Sequence, residues 1–491
     1  MISVTASALS VLSTIVVQQT EPSARSCGPT AAARRSGSRA EFVEPGQFRF
    51  HPSLPRYRCL VGRVDLNSQL TLIVTLVLML VAWDAAGQSQ TQTGAALLDQ
   101  VVAEALQNNP ELQASKREQE AAEQRIAPAG ALDDPMLEAG VLNLPTGSLR
   151  FNREDMTMKM IGLSQRLPYP GKRELRQGVA TKEAEAVAYG LQEFMNRVRR
   201  DVKIAYFDLA LVVESIRITE TNKQVLEQLS KIAEARYSVG QATQADVLKA
   251  QTQVSKMSDD LIKLDRDRLM FEAELHRLLG SPENGPTPLP RALFLWEGSL
   301  QPDLLRDAVL TSRPELRALQ TKIDRNEKAV ELARKDYYPD FDVRLSYGQR
   351  DKMPTGERRD DMVSLTVAIN LPIWGAAKQG PRIAESIAMR EQAARTFEAR
   401  RNEMLSQLRQ QLASAAQSYQ SAKLYETTVL TQSRLAAESS LASYRVNRVD
   451  FLTLLDNRMT VFAYEINFAT AVVNQNKALA EIEFITGKPI S

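Results

Sequence analysis

Few residues in this chain could do chemistry. It has two histidines, His51 and His276, and two cysteines, Cys27 and Cys59. The histidines stand 225 positions apart, and no cysteine follows residue 59, so the main body has neither a disulfide nor thiol chemistry. No Walker loop, dinucleotide-binding glycine pattern or HExxH motif occurs. Met156, Met158 and Met160 alternate in a way that puts three thioethers on one strand face, a donor type suited to Cu(I) or Ag(I). A methionine stripe serves packing equally well. Arg199, Arg200 and Asp201 are helix-borne charges, suited to solvation or to pairing between subunits. The residues therefore point away from catalysis, and no cofactor is expected.

The elements that would carry any other function are written twice. Asn-Pro-Glu-Leu at 109–112 returns as Arg-Pro-Glu-Leu at 313–316, with Pro110 and Pro314 separated by 204 positions. The same offset links Pro135 to Pro339, Pro168 to Pro372 and Gly171 to Gly375; later it becomes 207, linking Tyr237 to Tyr444 and Gly280 to Gly487. Solenoid repeats run at roughly 20–50 residues. This is instead one large unit present in two copies, which suits the wall of a tube.

The chain has 491 residues and a net charge of +2, which gives no sign of a nucleic-acid partner. Residues 70–82 (LTLIVTLVLMLVA) carry no charge, follow Arg58 and Arg63, and precede Ala85-Ala86-Gly87. The run is short for a bilayer span of about 20 residues. It fits the apolar core of a secretory leader over 67–87. Residues 1–66, rich in Ser, Arg and Pro, read as a non-structural extension or as translation begun too far upstream.

Proline is absent between Pro170 and Pro282 and between Pro381 and Pro489. Strong helix formers fill these stretches. The pattern predicts helices at about 172–238, 244–279, 379–446 and 451–486. The longest extend roughly 100 Å at 1.5 Å per residue, against a usual helix of about 11 or 12 residues. Such helices need partners along their length. Leu261, Leu264, Arg268, Phe271, Leu275 and Leu278 follow a heptad seam, as do Leu226, Leu229, Ala233 and Arg236. Each helix pair turns at a short reversal, with Gly240 and Asn447 at matching positions, both residue types that tolerate a left-handed backbone.

Period two takes over elsewhere. Phe341, Val343, Leu345 and Tyr347 alternate with polar residues, as do Val363, Leu365, Val367, Ile369 and Leu371. The first copy has matching segments at about 136–144 and 156–167. Alternation alone fits hairpins on a soluble core as well as strands that cross a bilayer. The leader and the long helices favour the bilayer. Strands in lipid must close into a barrel, and four are too few when about eight is the minimum. The strands must then be pooled between copies, and three chains would supply twelve strands and twelve helical staves.

On these features the chain resembles the TolC family of outer-membrane efflux proteins over about residues 95–488. The resemblance is carried by the repeated Asn109–Leu112 motif, by Leu167-Pro168 with Gly171 and Leu371-Pro372 with Gly375, and by the hairpin YSVGQATQADVLKAQ from Tyr237 to Gln251. It implies a mainly α fold with a small β part: a homotrimer whose 12-stranded β-barrel in outer-membrane lipid sits on a 12-helix coiled-coil periplasmic tunnel. The implied divisions are 88–134 for N-terminal and equatorial helices and 135–168 for a first transmembrane hairpin. A long helix pair with a tip follows at 171–281 and an equatorial linker at 282–338. The second hairpin is at 339–372 and the second helix pair at 378–488. The implied partners are a periplasmic adaptor and an inner-membrane pump of the RND type. No cysteine follows the apolar run, so the lipid anchor many members carry is not expected.

The resemblance also implies functional residues at the tips. Tyr237, Val239, Gly240 and Ala242 in the first, with Tyr444, Val446 and Asn447 in the second, match positions where an adaptor docks. Asp456 matches a constriction carboxylate, while its companion acid is replaced by Thr453. Asp246 and Asp450 lie close by. Under threefold symmetry each acid becomes a ring of like charges that favours cations; each also suits a solvated helix face. The expected function is passive exit of drugs or heavy-metal ions. A type I secretion conduit shares the architecture, and a non-porous periplasmic coiled-coil protein is the remaining alternative. The methionines and Asp134-Pro135-Met136 lean towards the heavy-metal branch.

Overall fold

The computed structural model describes residues 94–282, 285, 287, 288 and 293–490. The expected extension at 1–66 and leader at 67–87 lie outside them. The chain from residue 94 is mainly helical, with one small antiparallel sheet, as the sequence led us to expect.

Ten helices and four strands are described. Helices α1 (Gly94–Asn108), α2 (Pro110–Gln124) and the short α3 (Ile126–Gly130) lead into β1 (Met136–Leu142) and β2 (Met158–Leu167). Then come α4 (Lys172–Ser238) and α5 (Gln244–Leu279). The second copy runs α6 (Pro302–Ser312), α7 (Pro314–Lys335), β3 (Phe341–Gln349), β4 (Met362–Ile369), α8 (Gln379–Leu424), α9 (Leu430–Arg445) and α10 (Phe451–Thr486).

The expected helix over 379–446 is not uniform. Between α8 and α9 the backbone opens into one π-turn, Tyr425–Val429. The hydroxyl of Thr427 donates to the carbonyl of Lys423 at 2.8 Å there. The corresponding stretch of α4, 207 residues earlier, is regular α-helix.

The repeated Pro-Glu-Leu motifs splice helices end to end. Gly280, φ 64°, ends α5 against the Asn108 carbonyl and the Pro110 ring, so α2 continues the line of α5. Gly487, φ 70°, ends α10 against Pro314 and Ser312, so α7 continues the line of α10. At both joints the glycine's missing Cβ lets backbone approach backbone, and proline starts the next helix without an orphan N–H. Asn109 ties the first joint: its amide donates to the Leu278 carbonyl at 2.8 Å, and its Oδ1 accepts from the Leu112 N–H at 2.9 Å.

Arg313 occupies the Asn109 position in the second copy and works differently. It is 1 % exposed, ion-paired with Glu193 in the middle of α4, and lies 4.0 Å from the centre of the Phe484 ring. Burial pushes the Glu193 carboxyl up and the Arg313 guanidinium down, so each charge is held by the other against the cost of leaving water.

The helices pack as staves in the order α5, α4, α10, then α8 with α9. Apolar clusters fill the layer. Leu98, Val202, Leu209, Leu275 and Val473 form one, Met404, Leu408 and Ile482 pack with Leu316 of α7, and Leu226, Met257, Tyr444 and Leu454 pack near the reversals. His276 is buried and bonded through Nδ1 to the Ser281 hydroxyl and through Nε2 to Thr287, a packed histidine with both nitrogens occupied.

Candidate functional site

Two regions stand out: the sheet and the paired reversals. The sheet is a meander, β1-β2-β3-β4, antiparallel throughout. Its register pairs Leu137 with Leu163, Leu163 with Leu345, and Leu345 with Leu365. The next rows on that face hold Ile161, Tyr347 and Val363 on one side, and Gln165, Val343 and Val367 on the other. This face is apolar and open: Leu137, Ile161, Leu163, Leu345, Val363, Leu365, Val367 and Ile369 are all exposed. The opposite face carries Glu138, Ser164, Arg166, Asp342, Arg344, Ser364 and Thr366, with a Glu138–Arg344 ion pair of 2.9 Å.

Met158 and Met160 also lie on the polar face, where Met158 Sδ covers the spot a Cβ on Gly348 would occupy. Among the described residues no group of three or more His, Cys, Asp or Glu is placed to hold a metal ion. Strands β1 and β4 each have one edge without a partner among the described residues. No described helix is long and apolar enough to cross a membrane.

At the far end of the long helices the two reversals are built alike. In the first, the Gly240 N–H donates to the Tyr237 carbonyl at 3.0 Å, and Gln241 N–H to Arg236 at 2.8 Å. In the second, Asn447 N–H donates to Tyr444 at 3.1 Å, and Arg448 N–H to Ser443 at 2.9 Å. This pair of bonds is the Schellman closure, which requires a left-handed residue; Gly240 and Asn447 supply it at φ 74° and 60°.

The next helix then starts from a cap in both copies. Thr243 and Asp246 form a reciprocal capping box on α5, and Asp450 accepts from the Thr453 N–H to cap α10. The Thr453 hydroxyl and amide hold the Asp450 carboxyl below the usual carboxylate range.

The structure brings some of the expected tip residues together and separates others. Gly240, Ala242, Asp246, Tyr444, Asn447 and Asp450 border one cleft between the reversals, joined by Arg448. Asp456 and Thr453 lie outside that cleft on an exposed face of α10. Tyr237, Val239 and Val446 are exposed. Tyr444, by contrast, is 4 % exposed and packs on Phe451 with ring centres 5.7 Å apart. The Arg236 guanidinium bonds its carbonyl and stacks 4.4 Å from its ring, crossing from α4 to α9. Burial raises the Tyr444 hydroxyl above its ordinary range. Its position takes Tyr444 out of the surface open to a partner. Arg236 is a heptad-seam position in the sequence, and nothing in its local pattern marks this cross-copy bond.

The family model described as outer membrane efflux protein matches residues 101–281 and 305–488, well over half of the chain. The cobalt-zinc-cadmium resistance protein CzcC of Cupriavidus metallidurans is 22 % identical over 318 residues, 65 % of this chain and 74 % of that protein. The alkaline protease secretion protein AprF of Pseudomonas aeruginosa is 24 % identical over 405 residues, 78 % of this chain and 82 % of that protein. Among solved structures, the outer-membrane channel OprN superposes with a TM-score of 0.69 at 18 % identity, covering 80 % of this chain and 90 % of that one. VceC of Vibrio cholerae superposes at 0.68 and 15 % identity, covering 81 % and 97 %. These likenesses establish a shared fold.

Proposed function

The chain belongs to the outer membrane efflux protein family, and from that premise we propose that three copies close into the exit duct of a tripartite efflux pump. One observation carries the reading. The sheet presents a single apolar face and two open edges, while the staves below it also end in two open faces, α5 on one side and α8 with α9 on the other. Both layers run from first copy to second in the same direction. Head-to-tail repetition therefore joins β4 to the next β1 and α8–α9 to the next α5, and a closed ring leaves no edge. Three chains give twelve strands, a size at which a barrel stands in lipid with its apolar face outward.

Apolar residues support this joint. Ile262, Leu269 and Met270 are exposed on α5, and Leu424 and Leu435 on α8 and α9. Ile262 lies 22 residues after Gly240, and Leu424 lies 23 before Asn447, so the two stand at one height above the tip.

The duct works passively. An inner-membrane pump of the RND type supplies the energy, and a periplasmic adaptor docks on the exposed tip residues Tyr237, Val239 and Val446, with Gly240, Ala242 and Asn447 shaping the turns between them. Tyr444 supports that surface from inside. Asp246 and Asp450 face the tip cleft, and Asp456, with Thr453 in the place of a second acid, faces the narrowing bore. The likeness to CzcC supports metal ions as cargo. A second reading, a protein-secretion conduit, is favoured by the likeness to AprF, which extends over more of the chain.

The purified protein, inserted into planar bilayers, tests the duct. Discrete conductance steps from a detergent-stable trimer are expected. A water-soluble, non-conducting monomer would sink the reading. Loss of metal tolerance on deletion, against loss of a secreted protein, separates the two cargo readings.

A further inference from the structure

We propose that Arg359 is the keystone of the sheet's far rim: its guanidinium ties the two hairpin loops into one rigid block and so fixes the outer aperture. The inference rests on the reading of this end as the outward mouth of the duct. The loops, 143–157 and 350–361, belong to different copies of the repeat and lie at the end of the sheet away from the helices.

Arg359 reaches both loops. Its Nη1 donates to the carbonyls of Glu154 at 2.6 Å and Asp155 at 3.0 Å, and its Nη2 to that of Phe151 at 3.4 Å, all in the first loop. Its Nε donates to the Asp351 carbonyl at 2.7 Å in its own loop, and Nη2 bonds that oxygen too. The side chain is 5 % exposed, while Arg358 beside it stands in the open. Arg350 closes the second loop on itself, with Nε donating to the Asp360 carbonyl at 2.6 Å and its N–H to Asp361 Oδ1 at 2.9 Å.

These partners make the tie permanent. A guanidinium stays charged at any pH the protein meets, and carbonyls do not titrate. Its only ion pair among the described residues is the loose one to Asp155, at 4.0 Å. Neither acid nor salt has much to act on.

The first loop needs holding from outside. Asn143 and Leu149 sit there at φ 53° and 46°, in the left-handed region. A leucine in that region is strained, and such strain persists only where the surroundings over-determine it. Leu149 is exposed, so packing does not hold it. Arg359 grips the backbone two residues further on, at Phe151.

The repeat gives the tie one direction. At the 204 offset the first copy has Asp155 in the place of Arg359, and a carboxylate cannot donate to carbonyls. The knot therefore forms within a chain, and a ring of three chains carries three rigid blocks.

Hydrogen exchange of the detergent-solubilised protein, read at 146–157 and 350–361, tests the knot. R359Q should speed exchange at least roughly tenfold in both loops together. R359K should do the same, because a compact ammonium cannot span carbonyls that a planar fork spans. R358Q should exchange like wild type. In planar bilayers, R359Q should turn a steady open current into flicker. Loosening confined to 350–361, or full protection in R359K, overturns the keystone. Flicker-free R359Q channels beside a conducting wild type overturn the fixed aperture and leave the duct standing. A wild type that never conducts overturns the duct and the aperture with it, and exchange still decides the knot.

Discussion

Gly240 and Asn447 stand 207 positions apart and hold one conformation, φ 74° and 60°, each closing a long helix before its cap. The duplication preserved the geometry and changed the residue. A non-glycine residue in this region costs about 1–2 kcal/mol, and asparagine is among the few that visit it routinely.

G240A should therefore weaken the first tip by about 1 kcal/mol, while N447G should be neutral or slightly stabilising. Hydrogen exchange of the amides at 238–246 and 445–453 reads both. Equal protection in G240A and wild type would remove the strain argument.

The Asp450 cap has a sign in pH. Its carboxyl is held low in the folded chain by Thr453, so its contribution is present above the ordinary carboxylate range and is lost as pH falls through the lowered value. Amide protection of the first turn of α10 should fall on acidification in wild type and be low at neutral pH in D450A. A D450A variant as protected as wild type at pH 7 would show that the cap is idle.

Arg313 and Glu193 make the most buried ion pair of the described chain, through Nη2 and Oε1, while Glu193 Oε2 and Arg313 Nη1 have no hydrogen-bond partner. Removing one member leaves an uncompensated charge. R313M should cost about 3–5 kcal/mol in unfolding, and the double variant R313M/E193L should recover much of it. Thermal melts in detergent of wild type, single and double variants decide; additive losses would contradict this account.

The chain has no cysteine after Cys59, which gives a clean background for crosslinking. I262C with L424C should form a disulfide between copies, visible as a ladder to trimer without reductant. Crosslinking confined within one chain would refute the head-to-tail joint.

The two sheet faces should respond oppositely to charge. V367K, on the apolar face, should cost about 2–4 kcal/mol at mid-membrane depth and abolish assembly into the outer membrane. S364K, on the polar face, should assemble. Membrane fractionation of both variants reads the difference, and equal tolerance would argue against lipid on that face.

The duplication, the long helices and the alternating strands are legible in the residues alone, because each is a periodicity or an absence of helix breakers that local backbone physics enforces. Gly240 and Asn447 are marked for the same reason: a left-handed residue narrows the choice of side chain. The Pro-Glu-Leu repeat is visible there without its purpose, since a splice joins ends far apart in the chain, as Asn109 does to Leu278. Packing alone places Tyr444 under Arg236, sets Asp246 and Asp450 on one cleft without Asp456, and brings Asp133 and Asp342 to one cavity. Those relations depend on which helices and strands are neighbours. A single sequence shows that residues about two hundred positions apart are repeat equivalents, but not that they touch, because contact is set by packing.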